Sequence, residues 1–211
     1  MGKQTIMELA KQAEQAYGDV IRVTFHEGGD QYDAREGTKL SNGKTMKLRG
    51  TCHVDACLGY VQADIHLYHV SNSSDEELLE IFVHELGHYL AYRKRFSFAY
   101  RDEDDILDYA EAVSGECIAD VDTALCVLQD MYTSYHENED ISTMLAEMDG
   151  YNHAIELVEI LDEAGILDKG YYIKKQIKCY ETYLALLDLP EDRREEFAAF
   201  IEELKKELKA L

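Results

Sequence analysis

Residues 75–92 read DEELLEIFVHELGHYLAY, and this stretch decides the fold. Apolar side chains recur along it at helical spacing, which predicts a mostly buried helix; they are Leu78, Leu79, Phe82, Val83, Leu86, Tyr89 and Leu90. Ser74 precedes the stretch and Glu77 follows three residues later, a spacing typical of a capping box. The sequence therefore predicts a helix that begins after Ser74 and ends near Tyr92.

Two histidines of this helix are placed to share a metal ion. His84 and His88 lie four residues apart, so their imidazoles project from one face and can reach an ion at about 2.0–2.1 Å. Glu85 lies next to His84 around the helix, where its carboxylate can approach a water bound to that ion. We therefore expect a zinc cofactor with His84 and His88 as ligands and Glu85 as the catalytic residue.

A catalytic zinc site normally needs a third protein ligand, and two downstream glutamates compete for that role. Glu116 is favoured because Asp120 follows four residues later, on the same face of a predicted helix from Tyr109 to about Tyr135. Asp120 can then accept a hydrogen bond from the outer N–H of a ligand histidine and so orient the ring. Glu111 is the alternative, with Gly115 at the corresponding position.

The charge of the chain limits its partners. With 43 acidic and 21 basic residues, the formal net charge is -22. Such a surface repels phosphate backbones, so direct nucleic-acid binding is disfavoured, whereas a basic protein or peptide substrate would be attracted. A stripe of carboxylates would also suit an acidic, non-enzymatic binding protein that mimics DNA.

Cysteine usage and hydropathy indicate a cytoplasmic location. The five cysteines are odd in number and irregularly spaced, so we expect reduced thiols. No stretch approaches the ~20 apolar residues of a membrane span, and the N-terminal residues lack the apolar core of a signal peptide. Oligomeric state stays open, including a homo-oligomer.

The motifs resemble those of the ImmA/IrrE group of bacterial and phage gluzincin-type peptidases. The resemblance covers residues from Tyr60 to about Leu128, with the His84–Leu90 stretch followed by Glu116-x-x-Ala-Asp120. It implies a zinc metallopeptidase, a hydrolase acting on intracellular proteins, with water activated by zinc and Glu85. The alternative is an inactive zincin-like sensor that keeps the fold.

The predicted fold class is α+β, mainly α. We expect a small N-terminal antiparallel sheet packed on a zincin-type metal-site helix pair, followed by a C-terminal helical extension. Residues 1–135 would form the metallopeptidase core and residues 136–211 the extension, packed on the core in a single structural unit. Strand patterns occur at Val20–Phe25 and from Tyr60 to Val70, and Asn42-Gly43 indicates a hairpin.

Two further groups are weaker candidates. An auxiliary oxyanion donor would be a tyrosine or histidine, with candidates by position alone at Tyr132, Tyr135, His136, Tyr151 and His153. A structural zinc is conceivable on the upstream strands, but the spacing matches no familiar motif, and incidental residues on a strand pair are favoured; this group comprises Cys52, His53, Cys57, His66 and His69.

Overall fold

The computed structural model describes residues 2–27, 38–39, 45–46, 49–133 and 139–211. Its helices are α1 (Gly2–Tyr17), α2 (Asp75–Arg95), α3 (Glu103–Ser114), α4 (Val121–Thr133), α5 (Glu139–Glu163), α6 (Lys169–Leu186) and α7 (Glu191–Ala210). Its strands are β1 (Val20–Phe25), β2 (Thr38–Lys39), β3 (Thr45–Met46), β4 (Gly50–Cys57) and β5 (Tyr60–Leu67). The predicted mainly helical α+β class is confirmed.

The central sheet has three strands in the order β1-β5-β4. Alternate residues of β5 are fully buried, at Val61, Ala63, Ile65 and Leu67, so one face of the sheet belongs to the core. The sheet is mixed rather than antiparallel, because β1 pairs parallel with β5 while β4 pairs antiparallel with it. A separate short pair, β2 and β3, is antiparallel, and Asn42 and Gly43 lie outside the described residues.

Helix α2 runs through the core and begins as predicted. Ser74 accepts a hydrogen bond from the amide of Glu77, whose side chain in turn accepts one from the amide of Ser74. The helix buries twelve of its residues and contacts α1, both long strands of the sheet and α5. A helix buried on so many sides can hold polar side chains only where other polar groups meet them.

A buried carboxylate fixes the C-terminal half of α2 to the sheet. Asp19, between α1 and β1, is 5% exposed. It accepts hydrogen bonds from the Val61 amide at 2.9 Å, the Tyr89 hydroxyl at 2.6 Å, Arg93 Nε at 2.7 Å and the Tyr100 hydroxyl at 2.8 Å. Four donors from three parts of the chain therefore converge on one side chain.

The C-terminal helices pack on the same chain. Phe197 and Ile201 of α7 are buried, and α7 lies mainly against α6. Helix α5 lies along α2, although it falls after the predicted boundary near residue 135. Within the described residues no helix is both long and apolar enough to cross a membrane.

Candidate metal centre

Three side chains from two helices converge at the middle of α2. His84 Nε2 lies 3.1 Å from His88 Nε2 and 3.2 Å from Glu147 Oε2, and His88 Nε2 lies 4.0 Å from Glu147 Oε1. Among the described residues, this is the only group of three or more potential metal ligands within reach of one another. The structure thus brings the two predicted histidines together and adds a glutamate from α5.

Two glycines allow the helices to approach closely enough for this arrangement. A Cβ atom on Gly87 would overlap the carbonyl oxygen of Gly150 and lie 2.8 Å from its carbonyl carbon. A Cβ atom on Gly150 would lie 2.6 Å from His88 Cε1. Because glycine has no side chain, the backbone of α5 rests directly on α2 at this point. Glu147 lies one turn before Gly150, which carries its carboxylate to the histidines.

Tyr183 of α6 supports Glu147 from the other side. Its side chain is buried, and its hydroxyl donates a hydrogen bond to the Glu147 carboxylate. Burial alone would raise the pKa of Glu147, but the hydrogen bond and charge of His84, together with His88 and Tyr183, hold it well below its usual range. Glu147 is therefore an ionised acceptor with a fixed orientation.

Without a metal, His84 has a raised pKa and His88 a lowered one, so His84 binds a proton more strongly than His88. Burial works to lower the pKa of His84, but the hydrogen bond and charge of Glu147, with Glu85 and Glu80, raise it. Burial and the charge on His84 lower the pKa of His88 to about 4. A cation bound here would replace that proton, so the donor set is already arranged around a positive charge.

The geometry suits a small tetrahedral cation. Two ligand atoms that each lie about 2.1 Å from zinc in a tetrahedron are about 3.4 Å apart. The separations of His84 Nε2 from His88 Nε2 and Glu147 Oε2, 3.1 and 3.2 Å, lie slightly below this spacing, and the 4.0 Å between His88 Nε2 and Glu147 Oε1 lies above it. Two imidazole nitrogens and a carboxylate leave one position for a non-protein ligand, as in catalytic zinc sites. The residues present therefore fit zinc.

Glu85 is placed beside this group without belonging to it. Its side chain is 5% exposed and lines the adjoining cleft. Burial, followed by the charges of Glu147 and Glu80, raises its pKa to about 8, against the opposing effect of His84. Gly50, the first residue of β4, makes room for it, since a Cβ atom there would lie 2.5 Å from Glu85 Oε1.

The cleft beside the metal centre has a volume of about 580 Å³. One wall is formed by α2 and the start of β4, and the other by α5 and α6. His84, Glu85 and Glu147 all line it, so a molecule in the cleft can reach the centre.

Glu116, the predicted third ligand, does not join the histidines. It is exposed and lies in the connection between α3 and α4, because α3 ends at Ser114 and Gly115 adopts a left-handed conformation with φ of 73°. The prediction of a single helix from Tyr109 to about Tyr135 is therefore wrong, and Glu147 rather than Glu116 lies beside the two histidines. Glu111 also lies outside the group, and its carboxylate accepts a hydrogen bond from the Ile118 amide.

Asp120, predicted to accept a hydrogen bond from a ligand histidine, has other partners. Its side chain is exposed and accepts hydrogen bonds from the amide and hydroxyl of Thr123 at the start of α4. The prediction that Glu116 and Asp120 share one face of a helix is also wrong, because both lie between α3 and α4 and no helix connects them. His84 Nδ1 is buried without a hydrogen-bond partner among the described residues. The His84 ring is positioned by packing on Tyr151, with ring centroids 4.1 Å apart.

The other predicted candidates are distributed over the molecule. Tyr151 lines the cleft. His153 is hydrogen-bonded to the Asp149 carbonyl, and the hydroxyl groups of Tyr132 and Tyr109 are hydrogen-bonded to each other. Tyr135 and His136 lie outside the described residues. The cysteine and histidine residues of the sheet form no such ligand group within the described residues. Instead His53 lies 3.2 Å from Asp55, and His66 is bonded to His26.

We expect replacement of Tyr183 by phenylalanine to weaken metal binding about tenfold, because Glu147 loses the hydrogen bond that orients it. Competition titration against a chelating dye would measure the dissociation constant. Tyr180→Phe is the matched control on α6, since the Tyr180 hydroxyl bonds Gln176 rather than a ligand. Equal metal affinities for Tyr183→Phe and wild type would contradict the supporting role of Tyr183.

Comparisons of the chain with protein-family models, with curated proteins and with solved structures found no match. The resemblance to the ImmA/IrrE group therefore stays a prediction.

Proposed function

We propose that this chain is an intracellular zinc-dependent peptidase that hydrolyses peptide bonds of a protein substrate. The observation that carries the proposal is the His84–His88–Glu147 donor set with Glu85 beside it at the wall of an open cleft. All five cysteines are free thiols, which supports a reducing compartment. The net charge of -22 favours encounter with basic substrates.

A zinc ion held by the three ligands would polarise a carbonyl group and lower the pKa of water. His84, His88 and Glu147 would hold that ion; His84 is buried, and His88 and Glu147 are partly buried. Glu85 provides the proton transfers. It takes a proton from the attacking water and returns it to the leaving amine.

The charge state of Glu85 suits that role. A carboxyl group with a pKa of about 8 in the metal-free chain is a stronger base than a solvated glutamate. The positive charge of a bound cation would lower that pKa and favour the ionised form that accepts a proton.

We expect Glu85→Gln to keep the metal and to lose cleavage by at least about 100-fold, because the amide cannot accept the proton. The assay measures proteolysis of an unstructured protein by the zinc-loaded chain, before and after chelation. Glu76→Gln is the control, since Glu76 is exposed on the same helix.

The results distinguish a peptidase from a non-enzymatic binding protein. Cleavage that stops with chelation, returns with zinc and is absent in Glu85→Gln supports the peptidase. A wild-type chain that binds zinc but cleaves nothing, or a Glu85→Gln variant as active as wild type, would contradict it and favour a non-enzymatic binding protein.

A further inference from the structure

The cleft carries a group of basic side chains, in contrast to the acidic chain as a whole. Three basic side chains line it: Arg49 just before β4, and Lys175 and Lys178 on α6. Lys175 and Lys178 are three residues apart and so share one face of the helix. With a formal net charge of -22, a cluster of cations at this position is opposite to the average surface.

The nearby carboxylates leave part of this charge uncompensated. Lys175 Nζ lies 3.4 Å from Glu77, so those two charges are paired. Arg49 donates a hydrogen bond to the neutral Ser73 hydroxyl. Lys178 is exposed and forms no ion pair with any of the described residues. Three further carboxylates line the cleft, those of Glu80, Glu85 and Glu147, and Glu80 and Glu85 are only 7% and 5% exposed.

The same cleft contains the metal centre. His84 and Glu147 line it, and Lys178 lies on the α6 wall together with Thr182, whose hydroxyl donates a hydrogen bond to the Lys178 carbonyl. A peptide that binds in this cleft can therefore contact Arg49 and Lys178 as well as the centre. Opposite charges brought together at the edge of a binding site favour specificity.

We propose that the cleft recognises a carboxylate on the substrate, close to the scissile bond, through Lys178 and Arg49. The carboxylate belongs to an acidic side chain or to the C-terminus of the peptide, since either presents the same two oxygens to a lysine or an arginine. The inference deepens the proposed function and rests on it. The long-range field attracts a basic protein, whereas the cleft selects an acidic group within the bound segment.

Matched peptides test this proposal. Six peptides share one sequence, with Glu, Gln or Lys at a single position and either a free acid or an amide at the C-terminus. Binding of each to the zinc-loaded Glu85→Gln chain is measured by fluorescence anisotropy, and cleavage by the Glu85-containing chain gives kcat and KM. The position is moved along the peptide so that each distance from the scissile bond is sampled.

We expect carboxylate-bearing peptides to bind about fivefold more tightly than their neutral counterparts, with the difference in KM rather than kcat. Lys178→Glu should reverse the preference between the Glu and Lys peptides, and Arg49→Gln should weaken it. Lys174→Gln is the control, because Lys174 is exposed on α6 outside the cleft. Preference for the free acid over the amide would assign the C-terminus, and preference for Glu over Gln in amidated peptides would assign a side chain.

The outcomes distinguish the proposed carboxylate site from the proposed peptidase activity. Carboxylate-dependent binding without cleavage would overturn the peptidase and leave the carboxylate site. Equal binding of all six peptides, or a preference that is the same in Lys178→Glu as in wild type, would overturn the carboxylate site and leave the peptidase to its own test.

Discussion

Replacing Gly87 with alanine is expected to lower the free energy of unfolding by about 2–4 kcal/mol and to abolish zinc binding. On an ordinary helix this change would stabilise the protein by about 1 kcal/mol, because alanine is the better helix former. Here the added methyl group meets the backbone of Gly150, which cannot rotate away as a side chain could. Helices α2 and α5 must separate, and Glu147 then leaves His84 and His88.

Denaturant unfolding and metal analysis measure the two effects. Gly170→Ala on α6 is the matched control, since its nearest neighbours would be a side-chain oxygen at 3.3 Å and a side-chain carbon at 3.7 Å. We expect that change to alter stability by no more than about 1 kcal/mol. A Gly87→Ala chain as stable as wild type and still holding zinc would show that the two helices do not meet as described.

Replacing Asp19 with asparagine is expected to destabilise the fold by about 3–5 kcal/mol. The Arg93 guanidinium would lose its buried counterion, and the amide nitrogen would face groups that donate hydrogen bonds themselves. Glu159→Gln is the control, because Glu159 pairs with Lys169 at the surface, where such a pair contributes about 0–1 kcal/mol.

The same carboxylate predicts how stability varies with pH. Burial acts to raise the pKa of Asp19, but hydrogen bonds from Tyr89, Val61, Tyr100 and Arg93 outweigh it and lower the pKa below its usual range. A lowered native pKa means that the stabilisation is complete above about pH 4 and is lost as the pH falls through the native value. The free energy of unfolding, measured with urea between pH 2 and about pH 6, should therefore change more with pH in wild type than in Asp19→Asn. Parallel curves would contradict the assignment.

Local signals in the sequence were enough to locate α2 and the two histidines. The Ser74 capping box and the helical spacing of the apolar residues depend only on residues that are close together in the sequence. The same holds for the placement of His84, Glu85 and His88 on one helix. The class of the fold followed from the same kind of pattern. The parallel pairing of β1 with β5 did not, because it joins residues that are far apart in the chain, such as Val20 and Gln62.

The sequence does not predict Glu147 beside the two histidines, for two different reasons. The prediction for Glu116 needs a helix that continues past Gly115, whereas a glycine after a helical stretch is a stop signal. Glu147 lies within the predicted C-terminal helical extension, but its approach to α2 is a long-range contact, which no local spacing of apolar residues encodes. Gly87 and Gly150 were the available signal, since glycines inside two helices indicate a close crossing.

The metal content of three purified chains tests the central claim most directly: wild type, Glu147→Gln and Glu116→Gln, each exposed to zinc, dialysed and analysed for bound metal. The arrangement of His84, His88 and Glu147 predicts one zinc per chain in wild type and in Glu116→Gln, and an affinity reduced by more than about 100-fold in Glu147→Gln. Zinc retained by Glu147→Gln but lost from Glu116→Gln, or no zinc in wild type, would contradict it.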